Sequence, residues 1–467
     1  MIRARWFLLG AALLAFGASL ASGFHFDDYS IAVDPNLTSE SGWLSIFTLR
    51  QTRPLTFLTL WINYAIGPVW LYHAVNLALH LGAVALAFEC LRRLLPERAA
   101  IAAAAIFALH PIQAEAVDYI WARSIVLATL FCLAALLDWT EGRHWTAVIW
   151  FALALLSKEE VAAFPLLLWW LDRKKPLPVV AMLALSIAAG ARAAWATAVI
   201  AGSGAGLQAG ITPAHYLLAE GLAILRYLRL LIVPYGFTID PDLRVPPVWL
   251  GVLAWVGVLA LAALAWRYAR WAFFGLVLLI PSSTLFPAAD LAVDRRMYLP
   301  LFAFAAAAGP FLSQAWAAGG VAAVLALLSL LRTGVWMSDR ELWTEAVERA
   351  PEKVRPRIWL ARSLPAGKAL EVLVKTRDLA PYDPSIPAAI GQTYMAEGQY
   401  DAALEEFGRA LGLDPRDPRN YNNRGVALAS LGQLDAARAD FERALRIDPN
   451  FAEARQNLDK IAPTPAK

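Results

Sequence analysis

Along the first two thirds of the chain, apolar stretches of about 10 to 24 residues alternate with short polar clusters, the pattern of a polytopic membrane protein. The stretches are Trp6 to Leu20, Tyr72 to Leu91, Ala99 to Leu109, Val117 to Leu137, Trp145 to Leu156, Val161 to Leu171, Leu177 to Ile200, Trp249 to Trp266, Trp271 to Phe286, Leu299 to Phe311 and Ala317 to Leu331. Read as helices, they predict about eleven crossings. Between them lie Asp27-Asp28, Arg53, His110-Pro111, Glu115, Arg123, Lys158-Glu159 and Arg295-Arg296. Ionisable groups beside a bilayer are costly unless they face a cavity, so their accumulation at helix ends predicts one polar site between helices.

From Asp339 the chain turns polar, and it aligns with itself at a single offset. Gly391 matches Gly425, Gly398 Gly432, Ala403 Ala437, Phe407 Phe441, Ala410 Ala444 and Asp414-Pro415 Asp448-Pro449, each 34 residues apart. Small residues at helix crossings and an Asp-Pro turn at that period are the tetratricopeptide pattern, in which paired helices stack into a groove. The expected organisation is a membrane domain over 1–336 with its first outer loop at 23–70, a degenerate helical adaptor at 337–383, two repeats over 384–461 and a tail at 462–467. The fold class is all-α.

Composition agrees with this division: 59% hydrophobic residues and 17% charged leave too much apolar surface for a soluble core. A net charge of +3, spread along the chain, gives no footprint for nucleic acid. Cys90 and Cys132 both fall inside apolar stretches and read as packing residues. Arg3 and Arg5 before the first span place the N-terminus in the cytoplasm and Asp27-Asp28 outside, with Arg92, Arg93, Arg98 and Arg173-Lys174-Lys175 marking later inner turns. A cleaved signal peptide is the alternative for the first segment. Phe57 to Ile66 is expected along the outer interface, and Ala201 to Pro246 as an outer loop carrying an interfacial helix. Eleven crossings then put the repeats outside.

The site reads as catalytic: paired carboxylates can serve as a base, and cations near them can hold an anionic group. Asp27 and Asp28 supply the acid chemistry, one accepting a proton while the other orients a hydroxyl or cation; a helix-capping pair is the bland alternative. Lys158 and Arg296 are candidate phosphate ligands, the guanidinium as a bidentate fork and the ammonium as a point charge. Lys158-Glu159 could instead satisfy itself, and Arg295 and Arg296 could anchor on lipid headgroups. His73, His80 and His110 invite comparison with a metal set, but histidine at a helix end is more often a hydrogen-bonding residue; neither metal nor cofactor is expected. Trp61, Trp70, Trp121 and Trp169-Trp170 read as interfacial aromatics.

The motifs Phe26-Asp27-Asp28, Asp34-Pro35-Asn36, Arg53-Pro54-Leu55, Tyr72-His73-Ala74-Val75-Asn76 with His80, His110-Pro111 with Glu115-Ala116-Val117 and Ala122-Arg123, Leu156-Ser157-Lys158-Glu159, and Arg296-Met297-Tyr298-Leu299-Pro300 occur in one order along the chain. In that order, with repeats behind them, the chain resembles the transmembrane and tetratricopeptide-repeat-containing O-mannosyltransferase family, lipid-phosphosugar-dependent glycosyltransferases of the C superfamily. The departure is the small number of repeats, which fits a bacterial-type relative. The resemblance implies Asp27 as the base, Asp28 beside it, and Arg123 as a contact to lipid phosphate; from the residues alone, Arg123 could equally pair with Glu115 or Asp118. Supporting positions are Arg53, His73, His110, Glu115, Glu159 and Tyr298.

The expected function is inverting transfer of a hexose, mannose by the resemblance, from a polyprenyl phosphate to a hydroxyl acceptor at the outer face of the plasma membrane. The acceptor class, protein Ser/Thr, glycan or lipid, stays open, as does its recruitment by the repeats. Other expected partners are the polyprenyl-phosphate sugar and membrane lipids. Two different readings stand against it: a flippase, which should show two related halves, and a repeat scaffold on an inactive membrane anchor.

Overall fold

The computed structural model describes residues 2–199, 210–283, 286–288 and 290–461. The chain is all-helical and divides into two compact units, Met1–Ser338 and Asp339–Lys467. The expected tail at 462–467 and the glycine-rich stretch near 201–209 lie outside the described residues.

Among the described residues of the first unit, six helices are long and apolar enough to cross a membrane: Ile2–Ala21, Val69–Leu94, Ile120–Thr140, Pro176–Val199, Val248–Tyr268 and Ala315–Trp336. Glu97–Leu109 and Pro111–Asp118, bent by 44° at His110, make a seventh if taken as one span. The count of about eleven is not reached. Four of the expected crossings are the short helices His144–Ser157, Phe164–Leu171, Arg270–Val277 and Pro300–Ala308, 8 to 14 residues each. At a 1.5 Å rise per residue they extend about 12 to 21 Å, short of the roughly 30 Å of a hydrocarbon core.

Broken backbone of this kind survives at membrane depth only where protein partners satisfy it. After Ser157, at the first break, the Thr56 hydroxyl donates to the Ser157 carbonyl at 3.0 Å. Proline opens Pro54–Ile66, Pro213–Ile232 and Pro300–Ala308, where its missing N–H costs nothing and its fixed φ suits the first turn. Glu97–Leu109 is alanine-rich and buries nine of its 13 residues, and there the chain approaches so closely that a Cβ on Gly309 would sit 2.4 Å from the Ala99 carbonyl oxygen. The helix expected at the outer interface within 201–246 is Pro213–Ile232. Its buried residues Tyr216, Glu220, Ala223, Tyr227 and Leu230 recur at three- and four-residue intervals, so one stripe faces the bundle.

The second unit stacks three helical hairpins, Val354–Arg362 with Ala366–Leu379, Ser385–Ala396 with Tyr400–Leu413, and Pro418–Ser430 with Leu434–Ile447, before a last helix Ala452–Ile461. The 34-residue glycines have a packing cause. A Cβ on Gly391 or Gly425 would come 2.9 or 2.6 Å from the ring of Phe407 or Phe441, both buried. Gly398 and Gly432, at φ +72° and +79°, make the left-handed turn between the helices of each pair. The stretch expected as an adaptor contains Asp339–Arg349 and a hairpin of its own.

Candidate functional site

Asp27 and Asp28 stand at the end of the first membrane helix, and the fold treats them differently. Asp28 is fully buried, and its carboxylate accepts backbone N–H groups from Trp121 at 2.8 Å, His25 at 3.2 Å and Ile120 at 3.4 Å. Burial pushes this carboxyl well above the ordinary range, against the pull of those three donors. It ties the first loop to the turn at 119–121. Asp27 is exposed and begins the short helix Asp28–Ile31 without a side-chain cap bond, contrary to a simple capping pair. Just before it, Phe26 has φ +47°, the positive value among described non-glycine residues. An aromatic residue held there is strained, and such strain concentrates where a neighbour must be aimed.

The aim is toward Tyr119. That ring lies within electrostatic range of Asp27, Asp28 and Arg295. The Arg295 guanidinium sits 5.6 Å over it, and Trp336 stacks on it at 5.8 Å. Glu115 holds Arg295 in place, pairing with its guanidinium at 2.5 Å and accepting the backbone N–H groups of Asp294 at 2.7 Å and Arg295 at 3.2 Å. Arg226 braces the same turn through Asp294, also at 2.5 Å.

The break after Ser157 joins this cluster. Arg53 grips Glu159 with two bonds, 2.7 and 3.2 Å, and lies within electrostatic range of Arg295. Lys158 is 3% exposed and pairs with Glu160 at 3.2 Å, with Arg53 and Arg295 nearby. An ammonium has three donors. One acidic partner for a cation so deeply placed leaves capacity for an anionic ligand, which is the chemistry expected of a phosphate anchor.

Arg123 and Arg296 are committed elsewhere. Arg123 is fully buried; its Nε donates to Asn76 at 2.7 Å, its Nη1 to the Thr59 carbonyl at 3.1 Å and its Nη2 to the Tyr72 carbonyl at 3.0 Å. Asn76 in turn donates to the carbonyls of Tyr119 at 3.2 Å and Val117 at 3.4 Å. Arg123 pairs with neither Glu115, which holds Arg295, nor Asp118, which faces Thr333 and Arg332. Its geometry is that of a clamp behind the site. Arg296 donates to Glu220 at 3.1 Å and to the carbonyls of Leu291 and Asp290 at 3.1 and 3.0 Å. That geometry is a brace between the 290s turn and Pro213–Ile232.

The remaining candidates pack. The Nε2–H of His73 donates to the Gly23 carbonyl at 3.0 Å, anchoring the entry to the loop. His110 accepts the Ile112 N–H at 3.1 Å and meets the Leu231 carbonyl at 3.3 Å, serving the bend. Tyr298 and His80 share a buried 2.7 Å bond. Among the described residues no three His, Cys, Asp or Glu side chains gather as a metal-ligand set. Cys90 and Cys132 are buried thiols. The structure therefore brings Asp27, Arg53, Glu115, Lys158 and Glu159 together and sets Asp28, Arg123, Arg296 and His73 around them as a frame. Sequence reasoning missed Tyr119 and Glu160 and gave Arg295 only a surface role; for Arg295 the available signal was its place in the Arg-Arg pair.

A helical membrane unit with an acid loop beside a cluster of cations, followed by stacked helical hairpins, defines the class. The tetratricopeptide repeat family model matches residues 390–462. Protein O-mannosyl-transferase TMTC3 of Homo sapiens is 28% identical over 165 residues, 32% of this chain and 18% of that protein. Protein O-mannosyl-transferase TMTC2 of Mus musculus is 36% identical over 162 residues, 30% and 19% of the two chains. Protein O-mannosyl-transferase Tmtc1 of Drosophila melanogaster is 38% identical over 126 residues, 25% and 15%. Over about a third of its length or less the chain is thus similar to the transmembrane and tetratricopeptide-repeat-containing O-mannosyltransferases, in support of the resemblance its motifs carry. The match spans less than a fifth of the length of each of these three relatives.

Proposed function

We propose that this chain is an inverting glycosyltransferase that moves a mannose from a polyprenyl phosphate to a hydroxyl acceptor, a protein Ser or Thr, at the outer face of the membrane. The observation that carries the reading is Tyr119, which lies within range of both the exposed acid Asp27 and the half-buried Arg295, with Arg53 and the buried Lys158 beside that arginine. In the reaction, the acceptor oxygen attacks the sugar C1 from the face opposite the phosphate while Asp27 takes its proton. The bond from C1 to the phosphate oxygen breaks, and its electron pair stays on the lipid phosphate. Lys158 and Arg295 neutralise that growing charge, which is the larger share of catalysis in phosphate departure. Asp28 and Arg123 hold the loop that carries the base. No step needs a metal.

The relatives' names support mannose and a protein acceptor, and the repeats would recruit that acceptor by raising its local concentration. The basic residues support a cytoplasmic N-terminus with the acid loop outside, and Trp336, at the end of Ala315–Trp336, stacks on Tyr119 beside that loop, which supports an outer position for the chain that follows. The test is to incubate the reconstituted chain with radiolabelled polyprenyl-phosphate mannose and cell-envelope proteins, then find the label. Protein-bound label, released by base as from a Ser/Thr glycoside, is expected. Donor left intact would overturn transfer, and label in lipid or free glycan would overturn the protein acceptor.

A further inference from the structure

We propose that a second site, at the opposite ends of the membrane helices from the acid loop, binds an anionic phospholipid; it is independent of the transfer reaction. Ile2–Phe16, Glu97–Leu109 and Ala315–Trp336 bring their N-terminal halves together around a groove of about 420 Å³. Its walls are apolar, among them Phe7, Leu8, Ile101 and Ala105. Small residues of the third helix, Ala318, Gly319 and Ala322, leave the groove open, and a Cβ on Gly319 would meet nothing within 4 Å.

Charge enters at one end only. Arg3 and Arg98 both line the groove from the first turns of their helices, with Ser313 beside them. Arg92 and Arg93, a few residues before Arg98, are both paired to Glu89, whereas among the described residues neither Arg3 nor Arg98 has an acidic partner. Glu97 shares the first turn of its helix with Arg98 but does not line the groove. Two uncompensated guanidiniums over an otherwise apolar slot select a ligand with one anionic head and a long apolar body. A free phosphate would use the arginines and leave the walls unused; a zwitterionic lipid would bring its own cation against them. Exposed Trp6 and Trp316 on two of the same helices suit the headgroup level.

The test is native mass spectrometry of the full chain from detergent, titrated with equal amounts of phosphatidylglycerol and phosphatidylcholine. One phosphatidylglycerol should be retained in preference. Arg3→Gln with Arg98→Gln should weaken that retention on the order of thirtyfold, from the attraction of two basic side chains for an anionic headgroup. Gly319→Leu, which fills the slot and leaves both arginines, should abolish it. Inorganic phosphate should not displace the lipid. Equal binding of the two lipids, unchanged retention in Gly319→Leu, or displacement by phosphate would each overturn the proposal. The arginines are exposed, so an unchanged melting temperature is expected of the double variant, and transfer from labelled donor reports separately on the acid site.

Discussion

Arg123 offers the sharpest separation between a frame residue and a ligand contact. Its guanidinium donates to Asn76 at 2.7 Å, to two carbonyls at 3.1 and 3.0 Å and, at 3.4 Å, to the Thr59 hydroxyl, all inside a fully buried site. Charge-assisted bonds contribute about 1.5 to 3 kcal/mol each, and removing the donor also strands buried acceptors. Allowing for non-additivity within one network, Arg123→Ala should cost on the order of 3 to 5 kcal/mol. For a unit of this size that is a drop of roughly 10 °C in melting temperature. Arg123→Lys should lie between, because an ammonium keeps the charge but cannot reach three divergent acceptors at once. The assay is thermal unfolding of the purified chain in detergent, read beside kcat and KM for a polyprenyl-phosphate sugar. An unchanged melting temperature with a raised donor KM would refute the clamp and make Arg123 a phosphate ligand.

Three further outcomes follow from the same structure. Asp28→Ala should leave three backbone N–H groups without their acceptor and lower stability by about 2 to 4 kcal/mol, seen as earlier unfolding and faster proteolysis within 23–50. Lys158→Gln should raise donor KM roughly ten- to a hundredfold, the value of one charge-assisted phosphate contact, and a normal KM would remove Lys158 from the phosphate site. Gly425→Val should force the Phe441 ring aside and destabilise the repeat unit by about 1 to 3 kcal/mol; it should split off an early helical melting transition while donor hydrolysis by the membrane unit persists.

How much of this was legible beforehand depended on whether the cause was local. The repeats were legible because the spacing of Gly391 and Gly425 is dictated by contacts inside each hairpin, with Phe407 and Phe441. The acid loop was legible as a place, yet the division between Asp27 and Asp28 was not, since it is set by N–H groups at Ile120 and Trp121, more than 90 positions away. Arg123 invited pairing with acids nearby in the chain, and its side-chain partners are Asn76 and Thr59, on other helices. The span count is not confirmed, because several of the apolar runs form short helices whose broken ends are satisfied by neighbours such as Thr56. Within 201–246 an interfacial helix is legible from the sequence, whereas the pairing of its Glu220 and Arg226 with Arg296 and Asp294, which makes it a brace for the site, is not.

The central claim is that Asp27 deprotonates the acceptor, and a single-turnover comparison tests it most directly. Wild-type chain and Asp27→Asn are loaded with labelled polyprenyl-phosphate mannose, freed of excess donor and mixed with acceptor protein. Because Asp27 is exposed, the variant should fold and retain donor as the wild type does, while transfer slows by roughly two to four orders of magnitude, the loss of a general base. Transfer at the wild-type rate by a fully loaded Asp27→Asn chain would contradict the account.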